Sequence, residues 1–134
     1  MTDFERPRYF TGKLLTAEDL ELEQRYHLER RHLLNRMLHG AGIVSGLDVT
    51  ADDDSVTVAP GFALDPEGRE ILICEPRQLA IPECDEAVSI CVRYAELETE
   101  RGTIRETYEL VATTAPVPEN AVVLAVLERG AAAS

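Results

Sequence analysis

Three histidines, His27, His32 and His39, are the residues of this chain best suited to hold a metal or move a proton. A helical zinc site takes its two histidines four residues apart, so that both face one ion. His27 and His32 are five apart and point to different sides of a helix. His32 and His39 share a face but stand about 10.5 Å apart along the axis. The spacing supports a surface or interfacial role rather than a metal site. Cys74, Cys84 and Cys91 are odd in number, follow no ligand spacing and have no histidine beside them in sequence. Cys74 and Cys91 fall in apolar runs, where a free thiol behaves as a small hydrophobe. The acids of Asp52-Asp53-Asp54 and of Glu83, Asp85 and Glu86 read as solvated turns, since neither group follows the EF-hand pattern. The glycines of HGAGIVSG follow a helical stretch, whereas a nucleotide-binding glycine loop opens one. No catalytic residue, cofactor site or metal site is therefore expected, and the chain reads as a non-enzyme.

All three histidines lie on one element, and that element has readable ends. Thr16 is the expected N-cap, with Asp19 at the capping-box position and Glu18 and Glu21 placing negative charge where the helix macrodipole favours it. Leu15 stands where it can staple onto Leu20. The helix is expected from 17 to 39, with Gly40 as the left-handed stop. Around its axis Leu22, Tyr26, Leu33 and Met37 share one side, and Leu20, Leu34 and Leu38 continue the apolar arc. That arc is wider than docking on a single surface requires. The helix is expected to meet two neighbours, its own β half and another subunit. Positions 20, 24, 27, 31, 34 and 38 follow the 4-3 spacing of a coiled-coil seam, but read Leu, Gln, His, Arg, Leu, Leu, so a short bundle with a polar middle is admitted rather than demanded.

Before the helix, residues 1–15 read as extended, with Tyr9 and Phe10 anchoring ahead of a turn at Gly12. After Gly40 the period changes from helical to alternating. A glycine corner leads into a strand-like run through Val49, and 55–59 alternates cleanly. The pairs 62–64 with 69–74 and 87–97 with 103–112 read as hairpins, with a short strand at 78–81 between them. Residues 121–127 (AVVLAVL) are apolar on both faces, as in a central or doubly covered strand, and the tail from Gly130 is expected to fray. The expected architecture is α+β: one long N-terminal helix, then a small, mainly antiparallel β-sandwich or open barrel of about seven strands. The organisation divides into 1–40, an extended anchor and the helix, and 41–134, a β domain.

The totals exclude several function classes. At 134 residues with 45% hydrophobic content, the chain suits one domain with one modest core. Residues 1–49 hold eight acids and seven bases, and residues 50–134 hold seventeen and six, so the net charge of −12 lies almost wholly in the β half. Such a body is a poor partner for nucleic acid or an anionic membrane. There is no run of about 18 apolar residues to span a membrane. MTDFERPRYF lacks the apolar core of a secretory signal, so cytoplasmic assembly is expected.

One stretch carries a resemblance. Tyr9-Phe10-x-Gly12-x-Leu14-Leu15-Thr16, Asp19-Leu20, Glu23-Gln24-x-Tyr26 and His39-Gly40-x-Gly42-Ile43-Val44-x-Gly46-Leu47 together resemble a family of small proteins from phage-tail-like extracellular contractile injection systems. The following SVTVAPGFALDPEGREILI is similar to β modules near the attachment ends of tail-fibre and baseplate proteins. The resemblance implies a structural subunit at the baseplate or fibre attachment, with protein subunits of the same particle as partners and release, if any, as part of the particle. Tyr9, Phe10, Leu14, Leu15, Leu22, Tyr26, Leu33 and Met37 are the residues expected to bind partners, and the helix admits a homo-oligomer, a dimer or a trimer. The alternatives are a ligand-binding β-sandwich for carbohydrate or peptide, and a stand-alone oligomer of another pathway. The first would need aromatics exposed on one sheet face, whereas Phe62, Tyr94 and Tyr108 are expected to look inward.

Overall fold

A computed structural model describes residues 3–128. One helical element precedes nine strands, and every strand pair is antiparallel. The architecture is α+β with a mainly β body.

Helix α1 spans Ala17–Leu34. Its start is built as the residue types require. Thr16 has extended backbone, its hydroxyl accepts from the Asp19 N–H, and the Asp19 carboxylate accepts from the Thr16 N–H at 3.1 Å, closing a capping box. The helix continues into a wider π turn, Asn35–His39. That turn ends where the Gly40 N–H donates to the Asn35 carbonyl at 3.0 Å, with Gly40 at φ 72°. A residue with a Cβ takes this left-handed backbone only with strain, which is why the stop is a glycine. Leu15 and Leu20, the expected staple pair, both remain about half exposed.

The strands are β1 (Gly42–Gly46), β2 (Val49–Ala51), β3 (Ser55–Val58), β4 (Gly61–Leu64), β5 (Glu70–Ile73), β6 (Arg77–Ala80), β7 (Val88–Glu98), β8 (Ile104–Thr113) and β9 (Val122–Leu127). They form three three-stranded sheets, ordered β1-β4-β5, β2-β3-β6 and β8-β7-β9. The count exceeds the expected seven partly because one apolar run became two strands. Gly46 and Leu47 both adopt positive φ, 66° and 62°, so the chain turns out of the first sheet and enters the second. A bulky residue rarely accepts that conformation. Leu47 does so here with its side chain fully buried.

The core lies among the three sheets. Val56 and Val58 of β3, Ile71 and Ile73 of β5, and Val88, Ile90 and Val92 of β7 alternate inward as a period of two dictates, joined by Leu47, Ala63, Ile81 and Val122. Each such side chain contributes about 1.5–3 kcal/mol on burial. Tyr94 and Tyr108 pack against this cluster as expected. Phe62 does not: it pairs across strands with the exposed Leu72, on the face of β4 and β5 turned away from the core.

Strand β9 corrects another expectation. It is apolar on both faces but sits at a sheet edge, paired only with β7. The register between them shifts at Ile90/Cys91, and this irregularity re-phases β9 so that Val123 and Val126, three apart, are both exposed. Strand β7 takes the central place instead. The tail from Gly130 lies outside the described residues.

Candidate functional site

The residues singled out for partner binding gather on the anchor and the helix, and the structure sorts them into two groups. Tyr9, Phe10, Leu14, Leu15 and Met37 are exposed, Leu14 at 83% and Met37 at 66%. Leu22, Tyr26 and Leu33 are half-buried, and for Tyr26 the cover comes from the chain itself. The extended N-terminal segment runs back along the helix. Phe4 meets Tyr26 edge-on at 6.5 Å between ring centroids, Arg6 lies 5.9 Å from the same ring, and Arg30 lies against both rings at 5.3 and 5.7 Å. Such cation–π stacking is worth about 0.5–1 kcal/mol per pair at exposed sites. The face expected to take a partner at Tyr26 is thus partly occupied by residues 4–6.

The turn at the end of that segment is held by one cation. The Lys13 ammonium donates to the Arg8 carbonyl at 2.9 Å, stands 3.8 Å from the Asp19 carboxylate, and lies 5.8 and 5.7 Å from the Tyr9 and Phe10 rings. Partial desolvation pushes the Tyr9 hydroxyl pKa up, helped by the Glu23 and Asp19 carboxylates. The segment is therefore ordered in front of the helix while its rings and leucines remain open to solvent.

Between helix and body the contacts are polar. Arg31 clasps Glu70 with two bonds, 2.7 Å and 3.0 Å, and Arg36 donates to the Glu67 carbonyl at 3.0 Å. The buried Asn35 donates to the Gly68 carbonyl at 2.8 Å. Gly68 comes so close to the helix that a Cβ there would strike the His32 carbonyl, and its φ of 83° suits glycine in any case. The turn that meets the helix is itself pinned by Asp65, whose carboxylate accepts from the Glu67 N–H, the Arg69 N–H and the Arg69 guanidinium at 3.0, 2.8 and 2.7 Å. Nothing in the sequence marked Asn35 as the buried residue of the joint. The DPEG turn was legible, but not that it would be the seat of the helix.

Two open troughs of about 390 and 430 Å³ separate the helix from the body, and both touch Glu106. The first runs past Gln24, Leu28 and Ile104, and the second past Arg31, Phe62, Leu72 and Cys74. Their lining mixes a few apolar side chains with paired charges. The histidines do not converge: His27 rests edge-on against Tyr26 at 5.2 Å and His32 backs onto Gly68. Among the described residues no group of three or more His, Cys, Asp or Glu could hold a metal ion. Cys91 is buried, and desolvation pushes its thiol pKa up; Cys84 is half-buried. Cys74, read as a small hydrophobe, is instead exposed, because it follows the last residue of β5.

The most consequential feature is an absence of burial. Helix α1 holds no buried residue, and Leu20, Leu28, Leu34, Met37 and Leu38 are all exposed along the helical element. The core cluster contains no helical residue. No helix among the described residues is long and apolar enough to cross a membrane. Scanned against known protein families the chain matches none, and no curated protein matches it.

Proposed function

We propose that this chain is a structural subunit of a phage-tail-like contractile injection particle, at the baseplate or fibre attachment. In this reading residues 9–15 and the helix dock on neighbouring subunits, and the acidic β body is the rigid part they carry. The observation that carries the reading is the helix of 18 residues without one buried side chain, attached to a body whose core is complete without it. An isolated helix of that length is marginal in water, and most helices owe their stability to packing. One that keeps leucines exposed at both ends and gains no packing from its own body suits another surface. The family resemblance of 9–47 supplies the setting, and the joint at Asn35, Arg31 and Arg36 supplies a fixed angle between dock and load.

The test uses residues that leave the fold alone. Phe10→Glu and Leu14→Glu alter exposed side chains, so the circular dichroism spectrum and thermal midpoint should match the wild type. Burying such side chains is worth about 1.5–3 kcal/mol each. Retention of either variant on particles sedimented from cells expressing the whole gene cluster should therefore fall at least about tenfold. Wild-type retention of both variants would overturn the proposal.

A further inference from the structure

The three sheets end in six edge strands, and these are not equally guarded against a further strand. Strand β8 carries Arg105, Glu106 and Glu109. Strand β5 carries Glu70, which Arg31 of the helix holds at 2.7 Å. Strand β6 carries Arg77, bonded to the Tyr108 hydroxyl of β8 at 2.7 Å. Strand β2 is three residues long and runs into Asp52, Asp53 and Asp54. Strand β1 is irregular between Ile43 and Ser45 and has a glycine at each end. Strand β9 is the exception. Its VVLAVL has no charge, proline or glycine. Among the described residues, 122–128 make no backbone hydrogen bond outside the pair with β7. The extra residue Leu124 is its one interruption, and beyond it residues 125–127 offer a run as long as the three-residue pairing of β2 with β3.

That run ends on charge. A hollow of about 440 Å³ is lined by Ile81, Val126 and Leu127 together with Asp52, Asp53 and Glu128. All three acids are exposed, and among the described residues none is in an ion pair. Val126 is 53% exposed. A strand arriving at 125–127 therefore meets apolar side chains along its length and uncompensated negative charge at the end beside Leu127. This charge argues against a second copy of the chain. Residues 119–128 hold Glu119 and Glu128 and no base, so a copied β9 would bring one of those acids to the acidic end in either direction.

We propose that the free edge of β9 takes an extended, uncharged segment of a different protein, added antiparallel as a fourth strand of the β8-β7-β9 sheet, with an arginine or lysine at its N-terminal end over Asp52, Asp53 and Glu128. Every strand pair in this protein is antiparallel, and antiparallel pairing is slightly the more stable per residue. In that direction the N-terminal end of the guest lies beside the C-terminal end of β9. Main-chain hydrogen bonds supply the affinity, and the acids fix direction and register. This surface lies on the β body and does not depend on the docking role of the helix.

The experiment is fluorescence anisotropy on the purified full chain with labelled peptides. The wild type should bind RRTVTVT saturably and the charge-reversed EETVTVT at least about tenfold more weakly. Two N-methylated forms of RRTVTVT, one blocked at its valines and one at its threonines, should differ by at least about tenfold, because only alternate residues bond to the edge. Val126→Lys, at an exposed position, should keep a native circular dichroism spectrum and lose at least about tenfold in affinity for RRTVTVT. Asp52→Asn/Asp53→Asn should narrow the preference for the basic peptide. Absence of saturable binding, equal affinity for the two charge forms, or equal affinity for the two methylated forms overturns the proposal. An unchanged preference in Asp52→Asn/Asp53→Asn overturns the placement of the basic end. A wild-type dimer in light scattering that Val126→Lys abolishes would make a second copy the occupant and overturn the proposal as well.

Discussion

Asp65 shows how much one residue does at the joint. Its side chain is fully buried, and its two oxygens satisfy two backbone N–H groups and the Arg69 guanidinium, which in turn lies 5.0 Å from the Tyr94 ring. Removing a buried, hydrogen-bonded charge leaves its partners unpaired and costs about 2–4 kcal/mol. Asp65→Ala should therefore lower the urea midpoint by a large part of the stability of a small domain, while Asp65→Asn, which keeps one acceptor oxygen, should lose less. Equal midpoints for wild type and Asp65→Ala would show that the turn does not depend on these bonds. A turn at 65–68 was legible in the sequence, because Asp, Pro and Gly each have a local reason to be there. That the carboxylate would be buried was not, since the pairing with Arg69 and the cover above it come from packing. Leu47 is the opposite case: no residue type signals a leucine with positive φ, and the split of one run into β1 and β2 could not be read.

Among the elements, the helix and the body obey different rules. The helix was legible because its ends are made locally, by Thr16, Asp19 and Gly40. The strands of the core were legible because alternation is a local pattern, as in Val56 and Val58. The order of strands in the sheets is not local, so an uncharged AVVLAVL run reads the same at a centre as at the edge that β9 occupies. The return of residues 4–6 onto Tyr26 was likewise invisible, because it depends on ring and guanidinium contacts across a turn. With no buried residue in α1, its opening should be a local event. Thr16→Ala removes the cap and should cost the helix about 1 kcal/mol. Hydrogen exchange should then quicken roughly fivefold at amides 17–23 and stay unchanged in β7, with little shift of the thermal midpoint. Slowed or unchanged exchange in the first turns would contradict the role of the cap, and equal acceleration in β7 would contradict the independence of the helix.

For the whole molecule, the division is between a surface that is finished and one that is not. The β body closes its core with its own strands and carries an acidic exterior. Residues 9–47 leave a train of leucines, aromatics and β1 side chains in the open, mounted at a fixed angle by Asn35, Arg31 and Arg36. The arrangement suits a part whose partners arrive during assembly, and under the proposed function those partners are the other subunits of the particle. The most direct measurement is hydrogen exchange, residue by residue, on the chain alone and on the chain within sedimented particles. The account predicts strong new protection over 9–15 and along the helix, with the amides of β3, β5 and β7 unchanged. Absence of the chain from the particles, or new protection confined to the β body, would contradict it.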